Sequence, residues 1–435
     1  MSTLKAVRGT RDLLPSETGL WNRIEATARS VFERYNFGEI RTPIFEDTGL
    51  FARGVGEETD IVSKEMYTWE DRARAQSEKT QMLTLRPENT AGVVRAYIEH
   101  KLGETGQLQK LYYIGPQFRR ERPQKGRYRQ FSQIGAEVIG PVSAGSESPL
   151  RDAEVLEMLA TLLDELGISG WVLKINSVGS ASDRPAYIAK LKAALEPVVG
   201  QMCADCQRRA VTNPLRVLDC KVPEDQPFID ALPKIADSLD EASRAHFAAV
   251  CAALDAAGVP YVRDHRLVRG LDYYTRTTFE FTHDAGLGTQ NALLGGGRYD
   301  GLSELIGGPK APGIGFAMGE DRLVLTLLES QQAKPALADA YIAPLGEAQN
   351  AAALELAREL RRASSDRPGL RIELGDGSFR LKKSFEAADK VARAVVLLGE
   401  DEVSSGILTV KVFATGVQSK VARADLATFL MTAVS

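Results

Sequence analysis

Residues 108–139 read LQKLYYIGPQFRRERPQKGRYRQFSQIGAEVI, and this stretch decides the fold. Two strand-like runs, 108–118 and 129–139, are joined by a charged segment, and residues 119–129 hold six basic residues and the single acid Glu121. This pattern predicts a long β-hairpin with a charged tip. A run of basic residues is more often a solvated surface than a ligand site, so the segments around the hairpin decide its role.

Helical and strand-like patterns surround the hairpin without regular alternation. Helices are predicted at 17–35 and 90–101, and strands at 40–45 and 80–85. The strand at 40–45 carries Pro43, which cannot donate a ladder hydrogen bond, so this strand is expected at a sheet edge or an interface. Because strands dominate this half and do not alternate with helices, we expect an antiparallel sheet with helices on one side.

A mainly helical segment lies between two strand-rich parts, and we interpret it as an insertion. Its helices are predicted at 187–195, 229–239 and 241–257. After a proline-containing linker at 331–337, strands and helices alternate as in a small α/β domain. The predicted boundaries are 1–178 and 260–333 for the two parts of the first domain, 179–259 for the insertion and 334–435 for the last domain.

Composition limits the class of protein. The chain has 435 residues, 44% hydrophobic and 26% charged, the balance of a globular protein with two or three domains. No apolar run is long enough to span a bilayer, and the first fourteen residues lack the apolar core of a secretory signal. Four cysteines do not make a disulfide framework, so we expect a cytoplasmic protein without a membrane partner.

Several common catalytic motifs are missing from the sequence. It contains no phosphate-binding G-x-x-x-x-G-K-[ST] loop, no strand-to-helix G-x-G-x-x-G, no H-E-x-x-H and no G-x-S-x-G. The net charge of −4 is mild evidence against nucleic-acid binding, although a sum can conceal local basic patches. If the protein uses ATP, arginines on a sheet are the obvious phosphate ligands, because guanidinium is always charged and binds phosphate in a bidentate manner.

Four segments carry the chemistry. They are TLRPENT at 84–90, the hairpin from Phe118 to Phe131 with Gln133 and Glu137, LVRGLDYYT at 267–275, and GGGRYDG at 295–301 followed by GIGFAMGEDR at 313–322. Together they resemble the catalytic core of class II aminoacyl-tRNA synthetases. The segments at 269–274 and 296–299 are similar to those that mark the histidine-specific members, and the resemblance covers almost the whole chain.

The resemblance implies a fold and an assembly. It implies an α+β fold, with an antiparallel-sheet catalytic domain, a helical insertion and a C-terminal α/β anticodon-binding domain. Pro43 lies where this family has its first motif, a dimer-interface element, so a homodimer is implied. One position departs from the pattern: Asn89 stands where glycine is expected, and asparagine tolerates the left-handed conformation that such a turn would require.

The resemblance also implies a site for L-histidine. Glu88, Thr90 and Gln133 offer oxygens to the α-ammonium group, whereas Glu137 and Tyr274 can hydrogen-bond the ring nitrogens. Gln133 and Glu137 are four residues apart on one strand and therefore share a face. A site built from paired hydrogen bonds rejects analogues that lack them. The predicted histidine-binding set is Glu88, Thr90, Arg119, Gln133, Glu137, Arg269, Tyr273, Tyr274 and Tyr299.

For the reaction, the resemblance implies that ATP activates histidine to histidyl-adenylate, with release of pyrophosphate, before transfer to the 3′ end of the histidine tRNA. Negative charge builds on the α-phosphate, so cations are needed there. Arg119 and Arg269 are the predicted catalytic residues, and Mg²⁺ neutralises the remaining phosphate charge. The predicted ATP-binding set is Arg119, Glu121, Arg127, Phe131 and Arg322, in which Phe131 stacks on adenine and Glu121 meets its amino group or orients an arginine.

Two basic segments are candidate tRNA contacts. In this family the hairpin tip approaches the acceptor end, where histidine tRNAs carry an extra 5′ guanosine, so Arg122, Gln124 and Lys125 are predicted there. In the last domain, residues 380–383 (RLKK) are a second candidate, and a solvated helix face explains that segment equally well.

The cysteines allow two interpretations. Cys203 and Cys206 form a C-x-x-C pair, and with Cys220 they supply three ligands for a tetrahedral zinc site. No fourth ligand is evident, since Cys251 is distant and Asp219 is no more than a candidate. The alternative is a set of reduced structural thiols.

The sequence leaves three other functions to be compared with the enzyme. A catalytically silent relative of these enzymes serves as the histidine-binding regulatory subunit of ATP phosphoribosyltransferase. The others are an RNA-binding protein with an inactive site and a synthetase for another amino acid. The 269–274 segment, the hairpin arginines and the C-terminal domain favour the enzyme, and Glu137 with Tyr274 favours a ring with two nitrogens.

Overall fold

The structure is a computed structural model that describes residues 3–56, 59, 61–71, 80–124, 126–271, 273–284, 291–330, 337–362 and 369–434. The chain divides into two units, residues 1–333 and 334–435, each with its own hydrophobic core. That residues 179–259 form a separate insertion domain remains a prediction.

Strands of the first unit form two sheets. In chain order they are β1 (Gly38–Glu39), β2 (Phe45–Asp47), β3 (Tyr67–Asp71), β4 (Gln81–Leu85), β5 (Gln109–Phe118), β6 (Gln130–Ile139), β7 (Val172–Ser177), β8 (Val262–Arg263), β9 (Thr275–Thr282), β10 (Ala292–Arg298) and β11 (Gly313–Gly319). Eight of them make one sheet in the order β1-β5-β6-β11-β10-β9-β7-β8, and the other three make a small sheet in the order β2-β4-β3.

The large sheet confirms the predicted antiparallel architecture. All of its central neighbours are antiparallel, and only the short edge strands β1 and β8 pair in parallel. The predicted hairpin is present as β5 and β6, paired without a break from Gln109 opposite Ile139 to Phe118 opposite Gln130. Because side chains alternate across a strand, residues 131, 133, 135 and 137 share one face of the sheet.

Helices of the main core cover the opposite face. The helices of the first unit are α1 (Pro15–Arg34), α2 (Thr48–Val55), α3 (Thr90–Glu99), α4 (Pro149–Leu166), α5 (Arg184–Leu195), α6 (Ala204–Thr212), α7 (Gln226–Asp230), α8 (Glu241–Ala257), α9 (Leu302–Leu305) and α10 (Glu320–Ser330). Phe32 of α1 and Leu159 of α4 pack with Ile134, Phe279 and Phe316 of the sheet in the main core. Burial of large apolar side chains of this kind stabilises the fold by about 1.5–3 kcal/mol each.

The predicted strand at 40–45 is wrong. The chain pairs as β1 with the large sheet, leaves it, and pairs again as β2 at the edge of the small sheet. Pro43 lies between the two strands and has no N–H to continue a ladder. Arg86 holds this passage, since its guanidinium donates to the carbonyl of Thr42 at 3.0 Å and to that of Pro116 at 2.9 Å.

The predicted helix at 229–239 is also wrong. Helix α7 ends at Asp230, and after Pro233 the chain makes one 3₁₀ turn at Ile235–Ser238. Proline disfavours helical geometry in the residue before it, which explains the break. The carbonyl of Pro233 accepts a hydrogen bond from the buried Tyr187 hydroxyl at 2.8 Å, so the interruption has a packing partner.

In the described residues of the second unit, five strands form one sheet that packs with helices. Its strands are β12 (Ala338–Pro344), β13 (Ile372–Leu374), β14 (Ala392–Leu398), β15 (Ile407–Val412) and β16 (Gln418–Ala422), and its helices are α11 (Asn350–Arg362), α12 (Leu381–Val391), α13 (Glu400–Ser405) and α14 (Leu426–Ala433). The order is β13-β12-β14-β15-β16, with parallel pairing among the first three strands. In neither unit do the described helices include one long and apolar enough to cross a membrane.

A buried ion pair fixes the end of β10 to the helical layer. Arg298 and Asp152 are both fully buried and lie 2.5 Å apart, and Arg298 also donates to the carbonyl of Ser146 and to Asp300. Breaking one partner of a buried pair leaves an uncompensated charge, which typically costs about 3–5 kcal/mol.

We therefore expect Arg298→Met to destabilise the first unit by about 3–5 kcal/mol, measured by urea unfolding. Asp152→Asn in the same chain should recover part of the loss, because the unpaired charge is then removed. Arg34→Ala, which breaks an exposed ion pair with Glu165, is the matched control and should leave the unfolding midpoint unchanged. If Arg298→Met and Arg34→Ala changed the free energy of unfolding equally, the buried ion pair would not have the stabilising role assigned to it.

Candidate active site

Glycines form the floor of a pocket on the sheet face opposite the main core. Gly115 of β5, Gly135 of β6, Gly315 of β11 and Gly295 and Gly297 of β10 lie on the same face of four adjacent strands. Their neighbours of opposite parity, such as Ile134 and Phe316, belong to the main core. The glycines at 295–297, which in isolation indicate a turn or a bulge, thus lie within a central strand.

Three of the floor glycines lie directly beneath predicted site residues. A Cβ at Gly315 would come within 1.6 Å of the Glu137 carboxylate, and one at Gly295 within 2.4 Å of the Arg269 guanidinium. A Cβ at Gly297 would come within 2.9 Å of the Tyr274 ring. Glycine in a strand interior allows this close approach at a cost in strand stability. The floor therefore lets the side chains lie flat on the backbone.

Glu137 is the centre of a buried hydrogen-bond network. Its carboxylate accepts from the Thr90 hydroxyl at 2.7 Å and from the Tyr299 hydroxyl at 2.6 Å. Burial raises the pKa of Glu137 to about 8, against the lowering effect of these two donors. Around neutral pH the group therefore holds a proton that an exposed glutamate would have lost.

The segment that leads into helix α3 brings a second carboxylate to the pocket. Glu88 is buried and accepts from the backbone N–H groups of Thr90 at 2.8 Å and Ala91 at 3.1 Å, at the N-terminus of the helix. Burial raises its pKa, and those backbone donors oppose the rise. Asn89 does not adopt the left-handed conformation expected from the sequence, because its φ is −120°. Its side-chain oxygen instead accepts from the Thr42 hydroxyl at 2.7 Å.

Polar atoms without partners line the same face. Within the described part of the chain, Gln133 Oε1, the Tyr113 hydroxyl and both side-chain polar atoms of Gln117 are buried without a hydrogen-bond partner. Buried polar groups are otherwise almost always paired, so a cluster of unpaired ones marks a ligand site. Tyr273 and Tyr274 close the pocket, with ring centroids 4.8 Å apart.

Arginines gather next to this pocket. Arg269 pairs with Glu280 at 3.0 Å, and Arg119 donates to the carbonyl of Pro87 at 2.8 Å with its guanidinium 5.2 Å from the Phe131 ring centroid. Asn176 of β7 holds the Arg269 segment by donating to the carbonyl of Leu267 at 3.0 Å. An anion seated here would meet several fixed cations at once.

The far end of the arginine group is organised by Glu121. Its carboxylate accepts from Arg127 at 2.8 Å and lies 3.8 Å from Arg119. Arg322 donates to the carbonyl of Ala292 at 2.5 Å. Burial lowers the pKa of Arg322, and the neighbouring positive charge of Arg127 lowers it further, against the opposing effect of Glu280 and Glu121.

The N-terminal segment supports the base of the hairpin. The Arg129 N–H donates to the carbonyl of Gly9 at 2.7 Å. Arg11 pairs with Asp321 of α10 at 2.9 Å and lies over the Tyr128 ring, with its guanidinium 4.9 Å from the centroid. Residues 8–11 therefore connect the hairpin to the start of α10.

The structure brings most of the predicted site residues together. Nine belong to the pocket or its arginine group through the contacts above: Glu88, Thr90, Arg119, Gln133, Glu137, Arg269, Tyr273, Tyr274 and Tyr299. Glu121, Arg127, Phe131 and Arg322 continue the arginine group. Arg122 and Gln124 are exposed at the tip, Lys125 lies outside the described residues, and the cysteines lie elsewhere.

Three residues of the site were missed from the sequence. Gln117 and Tyr113 share the face of Gln133, which the hairpin register alone would have shown. Nothing in the sequence around Glu280 indicates a role in the site. Its position there follows from its pairing opposite Gly295 in the sheet and from its ion pair with Arg269.

Comparisons with known proteins agree along almost the whole chain. Residues 9–323 match the family model described as Histidyl-tRNA synthetase, and residues 339–432 match the one described as Anticodon binding domain. A histidine–tRNA ligase of Koribacter versatilis is 70% identical over 428 residues, which cover 98% of this chain and 96% of that protein. One of Solibacter usitatus is 56% identical over 426 residues, which cover 98% of both.

A solved structure agrees as well. The crystal structure of apo S. aureus histidyl-tRNA synthetase superimposes with a TM-score of 0.78 at 37% identity, covering 98% of this chain and 100% of that one.

The raised pKa of Glu137 has a measurable consequence for stability. A carboxyl whose folded pKa exceeds its unfolded one stabilises the fold fully below the unfolded value, and this contribution is lost as pH rises through the folded value. Glu320, buried at the start of α10, has its pKa raised by burial to about 8 as well.

We therefore expect the difference in free energy of unfolding between wild type and Glu137→Gln, measured with urea, to decrease as pH rises from about 5 to about 8. Glu320→Gln is the matched variant and should show the same trend at its own site, independently of the first. A difference between wild type and Glu137→Gln that does not vary with pH would contradict burial of a protonated Glu137.

Proposed function

Since this chain belongs to the histidyl-tRNA synthetase family and joins histidine to transfer RNA, we propose that the glycine-floored pocket binds L-histidine and that the arginine group beside it binds ATP. The observation that carries the proposal is the buried Glu137, which both Thr90 and Tyr299 hold on the glycine floor. The boundaries 1–178, 179–259, 260–333 and 334–435 are part of the same proposal.

Recognition of the imidazole ring rests on Glu137 and Tyr274. A carboxyl with a pKa of about 8 can donate its proton to a bare ring nitrogen, and as a carboxylate it can accept from a ring N–H. If the proton moves from Glu137 to that ring nitrogen, the ring becomes an imidazolium that donates to the carboxylate. The total number of protons on the two groups stays the same. A ring without two nitrogens would leave a buried polar group unpaired, which costs a large factor in specificity.

The α-ammonium group is assigned to Glu88, Thr90 and Gln133. Gln133 Oε1 is buried without a partner among the described residues, which leaves it available as an acceptor. Glu88 already accepts two backbone N–H groups, but each carboxylate oxygen can accept a second hydrogen bond. Tyr273 and Tyr299, with rings 5.9 Å apart, shape the wall around the amino acid.

Adenylate formation is assigned to Arg269 and Arg119. A histidine carboxylate oxygen attacks the α-phosphorus of ATP, and the bond to the bridging oxygen of pyrophosphate breaks. Charge develops on the α-phosphate oxygens, where preorganised guanidinium groups stabilise the transition state. Arg269 lies over Gly295 with one side against Glu280, so its position is fixed before substrate arrives.

The remaining ATP contacts are assigned to residues beside Arg119 and at the far end of the arginine group. Phe131, on the sheet face beside Arg119, is assigned to stack on adenine. Arg127 and Arg322 are assigned to the γ-phosphate end. The 2.8 Å pair between Glu121 and Arg127 supports an orienting role for Glu121 over a contact with the adenine amino group.

Mg²⁺ is proposed to enter with ATP. The carboxylates that the described residues place within the arginine group, Glu121 and Glu280, have the oxygen chemistry that this hard cation prefers. Because both carboxylates already accept hydrogen bonds from arginines, the protein would supply few of the Mg²⁺ ligands. When bound, the ion would neutralise phosphate charge that the arginines leave uncovered.

Transfer RNA is proposed to contact both units. At the hairpin tip, Arg122 and Gln124 are exposed on either side of Pro123, and Lys125 lies outside the described residues. Phosphate contacts set register and base-edge contacts give specificity. In the second unit, Arg380, Lys382 and Lys383 are exposed at the start of α12 and supply basic charge for the anticodon arm.

A homodimer is proposed through the small sheet. Ile44, Phe45 and Trp69 expose 45%, 53% and 39% of their surface, and the two rings lie 6.0 Å apart on the same face. Contiguous exposed apolar side chains of this kind mark interfaces. The segment that includes Pro43 leads directly into this surface, in agreement with the dimer element that the sequence implies. A cytoplasmic location belongs to the proposal, because charged tRNA is used there.

Histidine-dependent ATP–pyrophosphate exchange tests the proposed chemistry. Wild type should support exchange with histidine alone among the amino acids, and Arg269→Ala should lower kcat by about 10²–10³-fold, the usual effect of removing one transition-state donor. Arg263→Ala, which changes a guanidinium 5.9 Å from the Phe247 ring, is the control and should match wild type.

The outcomes separate the alternatives. Histidine binding without exchange would contradict the enzyme and favour the regulatory subunit of ATP phosphoribosyltransferase. Loss of both binding and exchange would favour an RNA-binding protein with an inactive site. Exchange with another amino acid would reassign the pocket.

We expect Phe45→Asp to shift the protein from dimer to monomer in analytical ultracentrifugation, because it places a charge in the proposed interface. Leu354→Asp, at an exposed leucine on α11 of the second unit, should leave the mass unchanged. An unchanged mass for Phe45→Asp would refute the surface.

A further inference from the structure

Three cysteines and an aspartate that take no part in the pocket converge in the segment at 179–259. Cys203 precedes α6, Cys206 lies in its first turn, Cys220 follows a 3₁₀ turn at Pro214–Asp219, and Asp225 ends the next one. One ligand atom from each of the four lies within 4.8 Å of every other. Cys206, Cys220 and Asp225 are buried, and Cys203 is half-buried.

The spacing of these atoms is close to that of a tetrahedral metal site. A zinc ion with Zn–S bonds of about 2.3 Å places its sulfur ligands about 3.8 Å apart. Cys203 Sγ and Cys220 Sγ are 3.9 Å apart, and Cys220 Sγ lies 3.3 Å from Asp225 Oδ2. The largest separation of 4.8 Å requires an inward movement of about 1 Å by one ligand, which a single rotamer adjustment can supply.

Backbone hydrogen bonds already orient the ligands. The N–H of Cys206 points to Cys203 Sγ and that of Val222 to Cys220 Sγ, each at 3.4 Å. The N–H of Cys203 donates to both Asp225 oxygens, at 3.0 and 3.2 Å. Outer hydrogen bonds of this kind fix ligands in protein metal sites, and donors aimed at sulfur favour thiolate over thiol.

We propose that Cys203, Cys206, Cys220 and Asp225 bind one Zn²⁺ ion. Three thiolates and a carboxylate make a closed tetrahedral set, which suits zinc and leaves no open position for catalysis. Binding releases the thiol protons to solvent. The other two residues considered from the sequence are excluded as ligands by position: Asp219 pairs with Arg216 and Lys221, and Cys251 packs in the main core.

The ion would link the helical segment to the pocket. Arg266 donates to the carbonyl of Cys220 at 3.4 Å and to Gln226 at 2.8 Å, and it lies three residues before Arg269. Holding Cys220 therefore also holds the loop that carries Arg269. The proposal concerns a structural metal and does not depend on the proposed catalytic roles.

The first test is the metal content of the full chain purified without chelators. Elemental analysis should find about one zinc ion per chain, and replacement by Co²⁺ should give the visible bands of a tetrahedral site with a thiolate charge-transfer band. Metal-free wild type that gives no such cobalt spectrum would overturn the proposal. So would a Cys203–Cys220 disulfide found by mass spectrometry in place of the metal.

Variants then identify the ligands. Cys206→Ser and Asp225→Asn should each reduce zinc retention in competition with a chromophoric chelator by at least about tenfold. Cys251→Ser and Asp219→Asn are the matched controls and should retain zinc as wild type does. Full retention by Cys206→Ser would refute the site, and if that variant does not fold, the cobalt spectrum of wild type and the Asp225→Asn titration still decide.

Discussion

The close approach of side chains to a glycine floor is the constraint on which the rest of the site depends. Glu137 lies against Gly315, Arg269 against Gly295 and Tyr274 against Gly297, at separations that no Cβ would permit. Four strands must therefore stay in register for the pocket to exist, because a shift of one residue would exchange the glycine face for the apolar one. The main core on the other side, with Ile134, Phe279 and Phe316, sets that register.

Burial of charge follows from the same geometry. The pocket places Glu88 and Glu137 on one side and a group of arginines on the other, and helix α3 and the Tyr299 hydroxyl supply donors to the carboxylates. A buried carboxyl without such donors would be far more costly. The raised pKa of Glu137 shows that the compensation is incomplete, and incomplete compensation leaves the group responsive to a ligand.

The sequence predicts those parts of the fold whose pattern is local. The hairpin at 108–139 is predicted correctly because alternation and turn signals occur within one stretch. The errors at 40–45 and 229–239 both arise at prolines, where a continuous apolar pattern conceals a break in hydrogen bonding. Asp225 and Glu280 could not be predicted, since their partners are brought to them by chain reversals that no residue spacing records.

The support of the hairpin by residues 8–11 has a consequence for the timing of synthesis. Arg11 is translated well before its partner Asp321, which is made 310 residues later. Contacts of such sequence separation form late and slowly. The emerging hairpin therefore lacks one of its supports until nearly the whole first unit has been translated, and the site of the nascent chain cannot be complete before Asp321 has been made.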